Sequence, residues 1–277
     1  MEPTLAQKIW FKSLKYSSLV VPKKAAAWAE DIFLTPSRVP RPVSEKEWYE
    51  SARKRTMSGG IAAYEWGPED GPLVALVHGW SGRGTQLGAF AQPLVDKGYH
   101  VIAFDGPAHG NSQGQMTNVG EFSLFLIRMQ QELAQPFKAV IAHSFGSGCS
   151  VLARARGLQA EKLVLIAGPS RYEVVVGNYL NFVGLSSRSK EYFVESLATK
   201  VGVSEKNLNV GKIGHDFHIP TMVVHDRDDK EVRYKAAEEI KEAWPEVELV
   251  TTQGLGHRRI LKDAGVVEKV TEFITRS

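Results

Sequence analysis

The sequence predicts an α/β protein with a mostly parallel central sheet and helices on both faces, and three observations carry that prediction. From residue 55 onward, short apolar runs alternate with segments of helical period, and regular βαβ alternation implies parallel strands joined by right-handed crossovers. The runs at 72–77, 139–142 and 162–167 are almost continuously apolar, as strands covered on both faces must be. With 277 residues and 43% apolar content, the chain can bury one large core.

Residues 4–17 read as an amphipathic helix, with Lys8, Lys12 and Lys15 on one face and Ala6, Ile9, Trp10, Phe11 and Leu14 on the other. A second helix is expected over 23–34, followed by a connector punctuated by Pro36, Pro40 and Pro42. Ser44 and Glu47 have the spacing of a capping box for a short helix reaching residue 54. The period then changes to that of a strand. Gly59-Gly60 signals a hairpin within 57–64, and 72–77 should be a central strand. Helix 86–97, strand 100–104, helix 119–133, strand 139–142, helix 147–158 and strand 162–167 follow. Residues 170–218 interrupt the alternation with two or three helical patterns, the most apolar over 174–185. Strand 221–225, helix 232–243, strand 247–251 and helix 260–274 complete it. The chain thus divides into a helical N-terminal extension (1–56), a core (57–169 and 219–277) and a helical lid insertion (170–218).

Composition narrows the function classes. A single cysteine, Cys149, excludes a disulfide framework and a Cys-rich zinc site and favours a reducing compartment. There is no run of 18 apolar residues and no signal-peptide pattern, so a cytoplasmic protein is expected. Residues 1–57 hold eleven Lys/Arg against six Asp/Glu, an excess of five, while the whole chain carries a net +3. An excess this small, without interleaved aromatics, does not point to nucleic acid. The N-terminal stripe is expected to pack on the domain or on a second copy, the chain being a monomer or homodimer; contact with a membrane surface is the less favoured use of it.

The chemistry centres on residues 138–148, where an apolar run stops at Ser144 and small residues follow. A strand turning sharply into a helix presents such a hydroxyl clear of the backbone, and the helix N-terminus beneath it favours negative charge. Gly146 supplies the small flank on one side and Ala142 stands on the other. The strict pattern G-x-S-x-G occurs elsewhere, at Gly110-Asn111-Ser112-Gln113-Gly114, but no strand leads into it. Context therefore selects Ser144 and leaves Ser112 as a loop serine. A serine nucleophile needs a base and the base needs an orienting carboxylate. His257, in Gly254-Leu255-Gly256-His257 after the last strand, has few packing duties and suits the base. The preceding strand ends in Asp226, Asp228 and Asp229, any of which could be the acid. His215-Asp216-Phe217-His218 has ligand-type residues at close spacing but no third ligand pattern, so no metal is expected.

Four motifs in order resemble the α/β-hydrolase superfamily across residues 57–277. His78-Gly79-Trp80-Ser81-Gly82 is similar to the loop after that family's first central strand, and 104–112 resembles its D-x-P-G-H-G-x-S stretch, with Ala108 in place of a glycine. Residues 142–146 resemble its nucleophile elbow, and 225–232 its H-G-x-x-D-x-x-V pattern, with Asp226 in place of the glycine. The resemblance implies Ser144 as nucleophile, His257 as base, Asp229 as acid, and the backbone N–H groups of Phe145 and Trp80 as oxyanion donors. It places His78, Gly79, Ser81 and His143 beside the substrate and calls for no cofactor. The implied activity is a serine carboxylesterase acting on small to medium acyl esters through an acyl-enzyme, with the lid segment 174–185 and Tyr192 and Phe193 lining an apolar pocket. The same residues serve thioester, amide or peptide, C–C bond and perhydrolysis chemistry, and a low-turnover binding protein would reuse the same pocket.

Overall fold

A computed structural model describes residues 5–276, with side chains described from residue 12 onward. Eight strands form one sheet: β1 (Arg53–Met57), β2 (Ile61–Trp66), β3 (Leu73–Val77), β4 (His100–Phe104), β5 (Phe137–His143), β6 (Ala160–Ile166), β7 (Thr221–Asp226) and β8 (Glu248–Thr252). Their spatial order is β1-β2-β4-β3-β5-β6-β7-β8. β2 runs antiparallel to β1 and β4, and all remaining pairs are parallel. The helices are α1 (Leu5–Val20), α2 (Pro22–Leu34), α3 (Lys46–Ser51), α4 (Ala91–Val95), α5 (Val119–Leu133), α6 (Phe145–Ala155), α7 (Tyr172–Val183), α8 (Ser187–Val201), α9 (Val210–His215), α10 (Lys235–Ala243), α11 (Gly256–Arg259) and α12 (Ala264–Thr275). Among the described residues, no helix is long and apolar enough to cross a membrane.

The strand order has one consequence for function. The chain leaves β3 to build β4 on one side and then returns to build β5 on the other. Loops leaving β3 and β5 therefore diverge at the carboxyl edge and open a crevice there. The strands around this point are covered on both faces: Val140 and Ala142 join one apolar cluster, Ala139 and Ile141 the other. That explains why β5 reads as a continuous apolar run.

Several boundaries differ from the sequence expectation. The capping box at Ser44 does not form. Ser44 lies in a 3-10 turn over Val43–Glu45, and its hydroxyl instead accepts a bond from Lys262 Nζ at 2.9 Å. Helix α3 stops at Ser51 because the chain is already pairing with β2 from Arg53. The helix expected over 86–97 is a 3-10 turn, Gly84–Phe90, followed by the short α4. Pro93 lacks the N–H that a longer helix would need there and is tolerated only in a first turn. The final helix, α12, begins at Ala264 rather than at 260, after the short α11, and is capped by Asp263, whose Oδ1 accepts from Val266 N at 3.0 Å.

The N-terminal extension is bound tightly to the rest. Leu14 is buried and Lys12 and Lys15 are exposed; the remaining face assignments, at 6–11, fall outside the described side chains. Tyr179 Oη on α7 donates to the Ala29 carbonyl on α2 at 2.6 Å. Arg38 reaches the carbonyls of Gly110, Ser112 and Gly114 at 2.5, 2.8 and 2.9 Å. Arg41 bonds Thr85 at 2.9 Å and Tyr64 at 3.1 Å. The connector is thus fixed to the loop that follows β4.

Candidate active site

Ser144 stands between β5 and α6 with φ +51° and ψ −121°, a conformation few residues with a side chain adopt. The bend survives because its neighbours hold it: Ser144 N–H donates to Ile166 O at 2.8 Å, and its carbonyl accepts from Ser147 N at 3.0 Å. Gly146 has no room for a side chain. A Cβ there would lie 2.6 Å from His78 O and 2.8 Å from Val77 O, so the first turn of α6 touches the end of β3. Gly79 is equally constrained, since a Cβ would meet Ser144 Cβ at 3.0 Å. The loop bearing Trp80 consequently crosses directly over the serine.

His257 is brought to the same point by α11. Its Nε2 lies 3.0 Å from Ser144 Oγ and its Nδ1 2.7 Å from Asp229 Oδ2. A carboxylate only accepts, so Nδ1 carries the proton and Nε2 is left as the acceptor that faces the serine hydroxyl. The other oxygen of Asp229 accepts from Glu231 N at 2.8 Å and Val232 N at 2.9 Å. These two bonds also explain why α10 begins at Lys235 rather than at 232. Burial opposes the charge on Asp229, but hydrogen bonds from His225, His257 and the Val232 N–H outweigh it and hold its pKa well below the usual carboxylate range.

The three aspartates separate cleanly by partner. Asp226 accepts from Asp228 N at 2.9 Å, Thr252 Oγ1 at 2.7 Å and Leu255 N at 3.0 Å, so it ties β7 to the loop after β8. Asp228 caps Gly254 N at 3.0 Å. Asp229 alone of the three touches His257. Ser112, the serine of the strict G-x-S-x-G match, is buried: its hydroxyl donates to the Asp105 carbonyl and accepts from Ala62 N at 2.9 Å. It fastens the loop after β4 to β2.

A cavity of ≈ 440 Å³ opens beside Ser144, within the range of about 300–1,000 Å³ typical of small-molecule sites. Trp80 and Phe145 line it, their rings 5.1 Å apart and nearly perpendicular. Phe145, as the first residue of α6, has an N–H with no carbonyl of its own helix to reach. Four of the residues expected beside the substrate are elsewhere. His78, Gly79, Ser81 and His143 do not form the cavity wall. His78 is fully buried, accepting from Gly106 N at 2.8 Å through Nε2 and donating from Nδ1 to Gly79 O at 2.7 Å. Burial pushes its pKa down to about 4. His143 donates from Nε2 to the His257 carbonyl at 2.9 Å, and burial with His257 nearby lowers its pKa to about 3. The Ser81 hydroxyl accepts from Ser37 N at 2.9 Å. His78 and His143 are thus buried behind the wall, Gly79 packs against Ser144, and Ser81 ties the loop to the N-terminal connector.

The wall is drawn largely from the N-terminal extension and the 170–218 insertion. Tyr172, Val175, Asn178 and Tyr179 of α7 line the cavity together with Ile32, Phe33 and Leu34 of α2, and Leu208 and Val210 contribute as well. The expected lid segment does take part, but Tyr192 and Phe193 do not line the cavity. Phe193 lies one layer back, its ring 5.6 Å from Phe33 and 5.8 Å from Tyr179. Two contributions escape sequence reading. The end of α2 carries no motif, and Glu231, which also lines the cavity, has only its position two residues beyond Asp229 to mark it. Among the described residues, no group of three or more His, Cys, Asp or Glu side chains is arranged to hold a metal.

Comparison with known proteins agrees with this architecture. Residues 74–203 match the model of the alpha/beta hydrolase family. Among solved structures, an esterase from Pyrococcus furiosus superposes with a TM-score of 0.62 at 20% identity, covering 88% of this chain and 97% of the other. A bacterial membrane phospholipase A gives 0.63 at 16% identity over 98% and 97%. The thioesterase domain from the curacin biosynthetic pathway gives 0.61 at 18% identity over 81% and 99%. At such identities the likeness is one of fold. No curated protein matches the sequence.

Proposed function

We propose that this chain, which has the α/β-hydrolase fold and matches the alpha/beta hydrolase family over residues 74–203, is a serine hydrolase cleaving carboxylic esters of small to medium acyl groups. The observation that carries this reading is the unbroken relay from Ser144 Oγ to His257 Nε2 at 3.0 Å and from His257 Nδ1 to Asp229 at 2.7 Å. In acylation, His257 Nε2 takes the Ser144 proton as Oγ bonds to the acyl carbon and the carbonyl π pair moves onto oxygen. The N–H groups of Phe145 and Trp80 receive that charge; each such donor contributes about 3 kcal/mol of transition-state stabilisation. Collapse of the intermediate breaks the bond to the leaving alcohol, which departs with the proton from His257. Water then repeats the sequence: His257 takes its proton, hydroxyl bonds to the acyl carbon, and Ser144 leaves protonated with the carboxylic acid as product. Asp229 stays ionised throughout and holds the imidazole in its tautomer.

The wall residues support an uncharged acyl group, since apolar and aromatic side chains from α2 and α7 dominate the cavity. The test is hydrolysis of short p-nitrophenyl esters together with labelling by a fluorophosphonate probe. Both should be present in the wild type and lost in Ser144→Ala. Folded wild-type protein that neither turns over the esters nor takes up the label would instead favour a binding protein.

A further inference from the structure

The cavity is charged on one side only. Among the described residues that line it, Glu231 is the one acidic or basic side chain of the Asp, Glu, Lys and Arg kinds. Its Oε2 lies 3.9 Å from His257 Nε2, the nitrogen that also faces Ser144 Oγ. The placement is anchored, because the Glu231 backbone N–H is one of the two donors to Asp229 Oδ1. Arg258 holds the carboxylate from the solvent side, with Nε 3.1 Å from Oε1 and Nη2 3.5 Å from Oε2. The Arg258 side chain is 73% exposed and forms no part of the wall. The pair is a dipole with its negative end toward the cavity and its positive end in water, where screening is strongest.

We infer that Glu231 makes this site choose its leaving group by charge, favouring esters of cationic alcohols over neutral ones and rejecting anionic ones. The inference rests on the serine-hydrolase reading, which fixes where the leaving group must be. Its oxygen has to come within hydrogen-bond reach of His257 Nε2, about 3 Å, to receive the proton. A charge two or three bonds farther along then lies about as close to the Glu231 carboxylate as the imidazole does. An ammonium there is attracted and a phosphate or carboxylate repelled, and because the Glu231 side chain is 51% exposed, solvent screens the interaction and keeps it small. The counterion Arg258 reduces the effect without reversing it, being farther from the cavity. A selection of about fivefold, or ~1 kcal/mol, is expected between a cation and its neutral isostere.

The experiment compares butyrylcholine with 3,3-dimethylbutyl butyrate, which share acyl group and shape and differ in one charge. In the wild type, kcat/KM should favour the choline ester about fivefold, and 3-(butyryloxy)propanoate, whose leaving group carries a carboxylate three bonds from the ester oxygen, should be the poorest of the three. Glu231→Gln should bring the ratio of the two esters down to about one, while Arg258→Gln, which exposes the carboxylate, should raise it. A Glu231→Gln ratio within twofold of the wild type overturns the inference, whatever happens to each rate alone. Glu231→Asp keeps the charge but withdraws it, so an intermediate ratio answers the question should the Gln variant fold poorly. If the wild type hydrolyses neither ester and Ser144 resists a fluorophosphonate, the hydrolase reading is what fails. Charge selection is then judged by the same ratio in the Kd values of the two esters.

Discussion

The two sides of the cleft are built differently. On one side, Ser144, His257 and Asp229 hang from the carboxyl ends of three parallel strands, and each polar atom is held by a partner with its own anchor. On the other, much of the cavity wall comes from α2 and α7, which lie outside the alternating core and meet by ring packing, Phe33 against Tyr179 at 4.8 Å, and by the hydrogen bond from Tyr179 to Ala29. Under the proposed function, the difference makes the geometry of reaction and the choice of substrate separable. The first is fixed by backbone and sheet, the second by side chains on two helices that can change without disturbing it.

The strongest way to break that separation is at Ser144. Ser144→Ala should lower kcat/KM for p-nitrophenyl butyrate by about 10⁴-fold or more while circular dichroism shows an unchanged fold. Ser144→Gly should be equally inactive yet melt higher, because glycine relieves the backbone strain at φ +51°, about 1–3 kcal/mol. An active Ala variant would remove the reaction from this bend. A Gly variant that melts lower would show that the serine side chain, rather than the backbone, carries the stability of the turn.

A smaller loss of rate, and a sharper contrast, is expected among the aspartates. Asp229→Asn keeps an acceptor for the Glu231 and Val232 N–H groups but disturbs the tautomer of His257, so kcat should fall about 10³- to 10⁴-fold with a modest change in melting temperature. Asp226→Ala should do the opposite. It strands two backbone N–H groups and the Thr252 hydroxyl, at a cost of about 2–4 kcal/mol in stability, and its residual activity should track the folded fraction. Parallel urea titrations and rate measurements on the two variants check this, and equal loss of rate per folded molecule in both would overturn the assignment.

Stability of the reacting side should also depend on acid. Burial lowers the pKa of His78 to about 4 and of His109 and His143 to about 3, from an ordinary 6.5. Above pH 6.5 all three are neutral in folded and unfolded chains and contribute nothing to the pH slope. Below it the unfolded chain binds protons that the folded one refuses, so stability falls as the pH drops from 6.5 toward 4, by up to about 1.4 kcal/mol per unit for each histidine. Asp229 acts in the same sense at lower pH, since its depressed pKa contributes stability above the ordinary carboxylate range that is lost as the pH falls through the folded value. Urea midpoints that stay level between pH 6.5 and 4.5 would contradict this account.

The same contrast governs what the sequence discloses. The parallel sheet was legible because burial on both faces leaves a local mark, the apolar runs at β3, β5 and β6. Ser144 was legible because a sharp bend demands small neighbours, and His257 because a glycine-rich loop after the last strand leaves few alternatives. The residues alone left Asp226, Asp228 and Asp229 open, and only the resemblance to a family pattern pointed to Asp229, since all three are acceptors in one turn and only the direction of each carboxylate separates them. His78 and His143 read as substrate contacts because proximity in sequence to a reactive residue does not reveal which way an imidazole points. The wall from α2 left no sign at all: Phe33 is a half-buried aromatic among many, and its place depends on how the extension docks against α7 and α8.

Phe33 therefore offers the gentlest test of separability. Its ring lines the cavity and packs against Tyr179 and Phe193, so Phe33→Ala should widen the acyl side without touching the relay. The expected cost is about 2 kcal/mol in stability, less than for a fully buried ring. Across p-nitrophenyl acetate, butyrate, octanoate and decanoate, the preferred chain should lengthen by several carbons. The ratio of decanoate to acetate kcat/KM should rise severalfold, since each extra methylene now buries in space the ring had filled and contributes about 0.8 kcal/mol when fully covered. Fluorophosphonate labelling of Ser144, which reports on the relay alone, should proceed at a rate close to that of the wild type. A variant whose labelling rate collapses while its chain-length profile keeps its shape would show that the extension supports the reacting groups, and that the two sides of the cleft are one structure after all.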